Sequence, residues 1–127
     1  MRQEANDLVA RTGFAAVCLL LNLEAGKALE IARENYMRAP GDGVTVSTYA
    51  FALHLQGRTR EGLNLLEKLK TEELQKPGVA LYYGVLMASA GQAGKAKPYL
   101  DIASHSPLLP EEKTLLLAAR RTLPSAK

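Results

Sequence analysis

The sequence repeats itself at an interval of 34 residues. When the segment LQGRTREGLNLLEKL is aligned with SAGQAGKAKPYLDIA, every aligned pair is 34 positions apart, and Gly57 falls on Gly91. Gly62 falls on Ala96, and the same position one interval earlier holds Ala28. A chain that repeats in this way builds stacked copies of one small unit, because each unit must bury its apolar face against its neighbours.

A second column of small residues precedes the first one. Ala16, Ala50 and Gly84 are separated by the same 34 residues. Glycine inside a helix costs about 1 kcal/mol relative to alanine, so Gly62 needs a structural reason. Two helices joined by a tight turn pack closely only where bulky side chains are absent from their crossing. The two columns therefore predict a pair of helices in each repeat that cross at these small residues.

The segments between the prolines and glycines have the composition of helices. They are rich in Leu, Ala, Glu and Lys and contain few β-branched residues. Leu63, Leu66 and Leu69 form one apolar stripe, with Leu65 beside it. The residues of the opposite face are polar: Arg60, Glu61, Asn64, Glu67 and Lys68. The sequence therefore predicts an all-α fold.

A helix-turn-helix unit of 34 residues resembles the tetratricopeptide repeat (TPR), whose pattern is W-x2-L-G-x2-Y in the first helix, A-x3-F in the second and a closing proline. The matching positions are the second-helix pairs Ala96 to Leu100 and Ala28 to Ala32, the first-helix glycine Gly84 and the closing proline Pro40. The tryptophan is missing from every repeat, and Leu74 and Leu108 replace the closing proline in the later two. Pro98 falls within the predicted sixth helix, so we expect that helix to start late or to bend.

The resemblance implies a right-handed solenoid of helical hairpins, with about seven helices in a single TPR-like domain that covers residues 1–127. The expected repeats span residues 9–42, 43–76 and 77–110, and a terminal helix follows over residues 110–122. Because helix is expected from about Glu4 onward, we also expect the chain to be part of a longer protein.

The composition narrows the classes of partner. Sixteen basic residues against 13 acidic ones give a net charge of +3, which is too small to indicate a nucleic-acid partner. The basic residues are also spread over several predicted helices without interleaved aromatic residues, so no nucleic-acid binding is predicted. The most apolar run, residues 14–23, is only ten residues long. A membrane-spanning helix needs roughly 20, so no membrane insertion is predicted.

No constellation of residues points to catalysis or metal binding. His54 and His105 occupy different positions in the repeat, and neither has a cysteine or carboxylate at metal-ligand spacing. Cys18 is the only cysteine, and its apolar neighbours predict a buried hydrophobic residue. AGQAGKA lacks the full spacing of a phosphate-binding loop and follows a predicted helix. We therefore predict a protein that is not an enzyme, with no catalytic residue, metal, cofactor or small-molecule substrate.

The resemblance also implies a binding surface. In tetratricopeptide repeats, the first helices of successive repeats line a concave groove, and residues at fixed positions along them contact a peptide. The corresponding protein-binding residues of this chain are Val17, Leu20, Ser47, Phe51, His54, Leu81, Tyr82 and Val85. The set is mostly apolar, so the expected partner segment is apolar, with Tyr82 and His54 orienting it through hydrogen bonds. The residues alone equally allow these side chains to pack against each other or against a neighbouring segment.

One branch of the family binds the C-terminal carboxylates of chaperones through a Lys, Asn, Asn, Lys, Arg set in this groove. The matching positions are Gly13, Val17, Thr48, Gly78 and Tyr82, so none of the five residue types is retained. Binding of a carboxylate in that manner is therefore not predicted.

Three functions remain open at this point. The leading one is a protein-protein interaction module, or scaffold, that takes an apolar peptide, a helix or a neighbouring repeat into its groove. The first alternative is an architectural segment of a longer repeat protein that acts through self-association as a homo-oligomer. The second alternative is an accessory domain of an enzyme whose catalytic part lies outside these residues.

Overall fold

In the computed structural model, residues 2–21 and 25–122 are described. Within these ranges the chain forms eight α-helices and no β-strand. The helices are α1 (Arg2–Leu20), α2 (Ala25–Arg38), α3 (Gly43–Leu55), α4 (Thr59–Glu67), α5 (Thr71–Leu74), α6 (Pro77–Ser89), α7 (Ala93–Ser104) and α8 (Pro110–Arg120). The predicted all-α fold is confirmed.

The 34-residue interval is a property of the backbone as well as of the sequence. α3 and α6 are both 13 residues long, and both are followed by a glycine with positive φ, Gly57 at 79° and Gly91 at 82°. The Gly57 N–H donates to the His54 carbonyl at 3.0 Å, and the Gly91 N–H donates to the Ala88 carbonyl at 3.2 Å. Glycine suits this left-handed position because it has no Cβ atom. The same turn therefore joins α3 to α4 and α6 to α7.

Neighbouring helices contact each other in the order that the repeat predicts. α1 contacts α2, α3 contacts α4 and α6 contacts α7, so each first helix pairs with the second helix that follows it. The first helices also contact each other in sequence, α1 with α3, α3 with α6 and α6 with α8. A continuous core of buried leucine, alanine and valine side chains joins the pairs.

The small residues lie where the helices cross. A Cβ atom added to Gly62 would lie 2.8 Å from the Ala50 carbonyl oxygen and 2.7 Å from Cδ2 of Leu86. A Cβ atom added to Gly84 would lie 2.7 Å from Cδ2 of Leu100. The best separation of two carbon atoms is roughly 3.5–4.0 Å, so neither site has room for a side chain. The prediction that Gly62 marks a close helix crossing is confirmed.

Most of the apolar stripe after Gly57 is buried, and so is the single cysteine. Leu63 and Leu66 are fully buried, Leu65 and Leu69 are half-buried, and the predicted polar face of α4 is exposed. Cys18 is 7% exposed and belongs to the core that joins the helices. Both observations agree with the sequence predictions.

The structure contains one helix more than the predicted seven within the described residues. α5 is a single turn between α4 and α6. Its Glu73 carboxylate accepts a hydrogen bond from the Gly43 N–H at 2.8 Å and so caps the start of α3. α1 begins at Arg2, well before the expected repeat boundary at residue 9.

Pro98 does not delay the start of its helix. α7 begins at Ala93 and continues through Pro98, so the expected late start is wrong, and the alternative expectation of a bend stays a prediction. Proline leaves the carbonyl four residues earlier, that of Gly94, without its helical donor. Gly94 and Pro98 are both exposed, and water can therefore supply the missing hydrogen bond.

Candidate functional site

An open cleft lies where four helices meet. Its walls come from α1, α3 and the first turns of α6 and α8, and its volume is about 170 Å³. Most of its lining is small or apolar and includes Gly13, Ala16, Val44, Gly78 and Val79. The cleft therefore offers a concave apolar surface on the first helices of the repeats.

Two glycines keep this cleft open. A Cβ atom added to Gly13 or Gly78 would meet no other atom within 4 Å, in contrast to the glycines in the core. Gly13 lies inside α1, where glycine costs about 1 kcal/mol relative to alanine, and no close helix contact requires it there. A larger side chain at either position would extend into the cleft.

Four hydroxyl groups lie among the apolar walls. They belong to Thr12, Ser47, Thr48 and Tyr82, and each of these residues is at most 5% exposed. The Ser47 hydroxyl donates to the Val44 carbonyl within α3 at 3.2 Å. Burial raises the pKa of the Tyr82 phenol, and the nearby Glu112 carboxylate raises it further. Tyr82 therefore stays protonated at neutral pH and keeps a proton to donate.

Two residues of opposite charge complete the lining, and each has a partner within the protein. Lys76 Nζ lies 2.9 Å from Glu73 Oε1, and this hydrogen bond raises the pKa of Lys76. The same contact lowers the pKa of Glu73, and the hydrogen bond from the Gly43 N–H is the second largest cause of this lowering. Glu112 Oε1 accepts the Leu109 N–H at 2.8 Å at the start of α8. These contacts leave the cleft without a strong net preference for an anion or a cation.

The structure places only two of the predicted groove residues in this cleft, Ser47 and Tyr82. Phe51, Leu81 and Val85 are 2%, 0% and 6% exposed, and they belong to the core. The ring of Phe51 stacks on that of Tyr82, with ring centroids 4.6 Å apart. The predicted role of Phe51, Leu81 and Val85 on an open surface therefore needs correction, because all three side chains are buried in the core.

The other three predicted groove residues lie outside the cleft. Val17 is 42% exposed on α1, and Leu20 is half-buried. His54 is also half-buried, and its Nδ1 atom lies 2.8 Å from the Thr59 hydroxyl. Burial lowers the pKa of His54. The His54 ring therefore links the end of α3 to the start of α4, which differs from the predicted role of orienting a ligand.

The predicted set of protein-binding residues lacks Gly13, Thr48 and Gly78, which line the cleft. The structure brings them together with Tyr82 around one cleft. One signal in the sequence marks Gly13, because a glycine in the middle of an apolar helix needs an explanation. Gly78 gives no comparable signal, since glycine is common near helix ends.

Two other classes of site are absent from the part of the chain that the structure describes. Among residues 10–21 and 26–122, whose side chains the structure describes, no group of three or more His, Cys, Asp or Glu side chains is placed to hold a metal ion. None of the helices in the described part of the chain is long and apolar enough to cross a membrane. Comparisons with protein-family models, with curated proteins and with solved structures give no match.

Proposed function

We propose that this protein is a non-catalytic interaction module whose cleft binds an apolar segment of a partner protein. We also propose that its helix pairs stack as a right-handed solenoid of the tetratricopeptide type. The observation that supports the function is the open cleft between α1, α3, α6 and α8, with its mostly small and apolar lining. Concave apolar surface of this kind marks contact sites.

The size of the cleft favours an anchoring side chain over a small molecule. Pockets for drug-sized ligands have volumes of roughly 300–1,000 Å³. The cleft has a volume of about 170 Å³, which suits one or two aliphatic side chains. A partner peptide or helix would insert such an anchor, and the remaining contacts would lie on the surface around it.

The hydroxyl groups supply the orientation that apolar contact lacks. Thr48 and Tyr82 are buried side chains that face the cleft, and the phenol of Tyr82 is protonated. A backbone carbonyl of the partner, placed beside the anchor, would accept a hydrogen bond from such a group. The proposed ligand is therefore a segment with an aliphatic side chain and an accessible backbone carbonyl next to it.

Filling the cleft tests the proposal without disturbing the core. Gly78→Leu and Gly13→Leu each place an aliphatic side chain in open space that the ligand would use. A random-peptide display library, selected on the full chain, supplies the probe peptides, and their affinities are measured by fluorescence anisotropy. We expect peptides with a central aliphatic residue to be enriched, and each glycine variant to weaken their binding by at least about tenfold, the equivalent of about 1.4 kcal/mol.

The matched control is Gly94→Leu. Gly94 is a helical glycine near the start of α7, has no atom within 4 Å of an added Cβ and does not line the cleft. We expect this variant to bind the selected peptides as the original chain does. Equal affinities for the original chain and for both cleft variants would contradict the proposed site.

A second candidate function is the architectural one, through self-association. The observation that favours it is the exposed apolar surface of α1 outside the cleft, where Phe14 and Val17 are 55% and 42% exposed. The mass of the protein in solution, measured over a range of protein concentrations, tests this function without any peptide.

A further inference from the structure

The outer face of α1 is exposed at a position that is buried in every later repeat. Phe14, Thr48, Tyr82 and Leu116 are equivalent residues, each 34 positions after the last. Thr48, Tyr82 and Leu116 are 2%, 5% and 6% exposed, whereas Phe14 is 55% exposed. An aromatic side chain therefore lies open where its three counterparts are covered.

The repeat shows what kind of surface covers this position. Tyr82 is covered by Phe51 of the preceding first helix, with their ring planes 18° apart. Phe51 in turn is equivalent to Val17 and Val85, which lie one interval away on either side. The natural cover for Phe14 is therefore the apolar column of another first helix that contains a residue such as Val17.

α1 itself carries the complementary surface. Ala10, Phe14, Val17 and Leu21 are all exposed, and their spacing of four, three and four residues forms the seam by which two helices pack. Two copies of α1 can pack antiparallel about a two-fold axis that passes midway between residues 14 and 17. In this arrangement Phe14 contacts Val17 of the other copy. Ala10 then meets Leu21, so that each large side chain faces a smaller one.

The charges on this surface do not oppose its burial. Between Ala10 and Leu21 the only charged residue is Arg11. Its guanidinium lies 2.8 Å from the Glu34 carboxylate of the same chain. A second copy can therefore cover the apolar seam without burying an unpaired charge, which would be costly.

We propose that two copies of this chain associate through the outer faces of their α1 helices, as an antiparallel and symmetric pair. In this pair Val17 of one copy covers Phe14 of the other, as its equivalent Phe51 covers Tyr82 within the chain, although the two paired helices run in opposite directions. A symmetric dimer uses one patch twice and is the commonest form of self-association. The seam is short compared with a standard interface, so we expect a dimer with a dissociation constant on the order of micromolar.

Sedimentation equilibrium of the full chain tests the pair. The protein concentration runs from about 1 to 500 μM, a range that includes the micromolar dissociation constant expected for a small interface. We expect the mass to rise from one chain to two, and Phe14→Ser to raise the dissociation constant by at least tenfold. The matched control is Leu117→Ser, which removes an apolar side chain that is 56% exposed on α8, and it should leave the dimer unchanged. Circular dichroism of both variants must show the original helical content and a cooperative melt.

Cross-linking tests the antiparallel register. In a Cys18→Ala background, chains with Ala10→Cys are mixed with chains with Leu21→Cys under mild oxidation. The proposed register predicts that the mixed disulfide forms faster than either disulfide between identical chains. A single-chain mass at every concentration, loss of the dimer in Leu117→Ser with retention in Phe14→Ser, or dominant disulfides between identical chains would each overturn the proposal.

Discussion

Gly62 lies directly against the backbone of Ala50, because a Cβ atom at position 62 would be only 2.8 Å from the Ala50 carbonyl oxygen. The two residues belong to α4 and α3, the two helices of one repeat. A backbone oxygen cannot rotate out of the way as the end of a side chain can. The distance between the two helices therefore depends on the absence of a side chain at position 62.

We expect Gly62→Leu to lower the free energy of unfolding by a few kcal/mol, since overpacking a core typically costs about 1–3 kcal/mol. Gly94→Leu is the matched control because Gly94 is helical and has open space around it. There the gain in helix propensity should stabilise the protein by up to about 1 kcal/mol. Urea denaturation of both variants measures the difference. Equal stabilities would show that α3 and α4 do not cross at this residue.

We expect Phe51→Ala to destabilise the protein by about 3–5 kcal/mol, as truncation of buried aromatic residues usually does. Phe51 is 2% exposed and stacks on Tyr82. Val17→Ala is the control at the equivalent repeat position, where the side chain is 42% exposed. Its effect should be within about 0.5 kcal/mol. If thermal melts of the two variants coincide, Phe51 is not a core residue.

We expect the Cys18 thiol to react slowly with a thiol reagent in the native protein and rapidly in denaturant. The side chain is 7% exposed within the core, so reagent reaches it only when the helices open. The time course of labelling in buffer and in concentrated urea provides the measurement. A native rate that matches the rate in urea would place Cys18 at the surface.

The repeat was predictable because several independent signals share one interval. The turn glycines Gly57 and Gly91 need a left-handed backbone, and Gly62 needs a close neighbour. Each requirement depends on local chemistry, so the sequence alone indicates helices, turns and crossings. The short α5 has no such signal, since four residues are too few to show a helical period.

The placement of the binding surface was less predictable, because exposure depends on how large the neighbouring side chains are. Val17 and Phe51 are equivalent in the repeat, yet the first is exposed and the second is buried. Phe51 stacks on the large Tyr82 of the next repeat. The position equivalent to Tyr82 one interval earlier, in the repeat that follows Val17, holds the small Thr48. Periodicity gives the direction in which a side chain points but not the size of what covers it.

We expect the stability of the protein to fall as the pH is lowered below about 6.5, in part because of His54. Burial lowers the pKa of His54 from its ordinary value of 6.5, so the folded protein binds a proton less readily than the unfolded chain does. The His54 contribution is therefore fully present above pH 6.5 and is lost as the pH falls towards the lower, folded-state pKa. Urea denaturation at pH 7.5, 6.5 and 5.5 measures the slope of the free energy of unfolding against pH around the ordinary pKa of histidine.

One variant separates His54 from the other groups that titrate in this range. His54→Gln should reduce the loss of stability over this window, because glutamine does not take up a proton as the pH falls. An unchanged slope in His54→Gln would show that another group is responsible.

Thr12 and Asn35 form a buried polar pair between α1 and α2. Asn35 Nδ2 donates to the Thr12 hydroxyl at 3.1 Å, and both residues are at most 2% exposed. Among the described residues, Asn35 Oδ1 is a buried side-chain atom without a hydrogen-bond partner. The equivalent positions one interval later hold Val46 and Leu69, so the second repeat replaces this pair with apolar residues.

We expect a double-mutant cycle at this pair to be strongly non-additive. Thr12→Val alone removes the partner of a buried amide, and leaving such a group unsatisfied costs about 1–3 kcal/mol. Thr12→Val combined with Asn35→Leu reproduces the apolar pair of the second repeat and should be at least as stable as the original chain, because no buried polar group remains unpaired. Arg11→Ala is the control for the same pair of helices, since the Arg11–Glu34 ion pair is largely exposed and such pairs contribute at most about 1 kcal/mol. Additive losses in urea denaturation, with the double variant the least stable of all, would show that the two side chains contribute independently and would contradict the expected coupling.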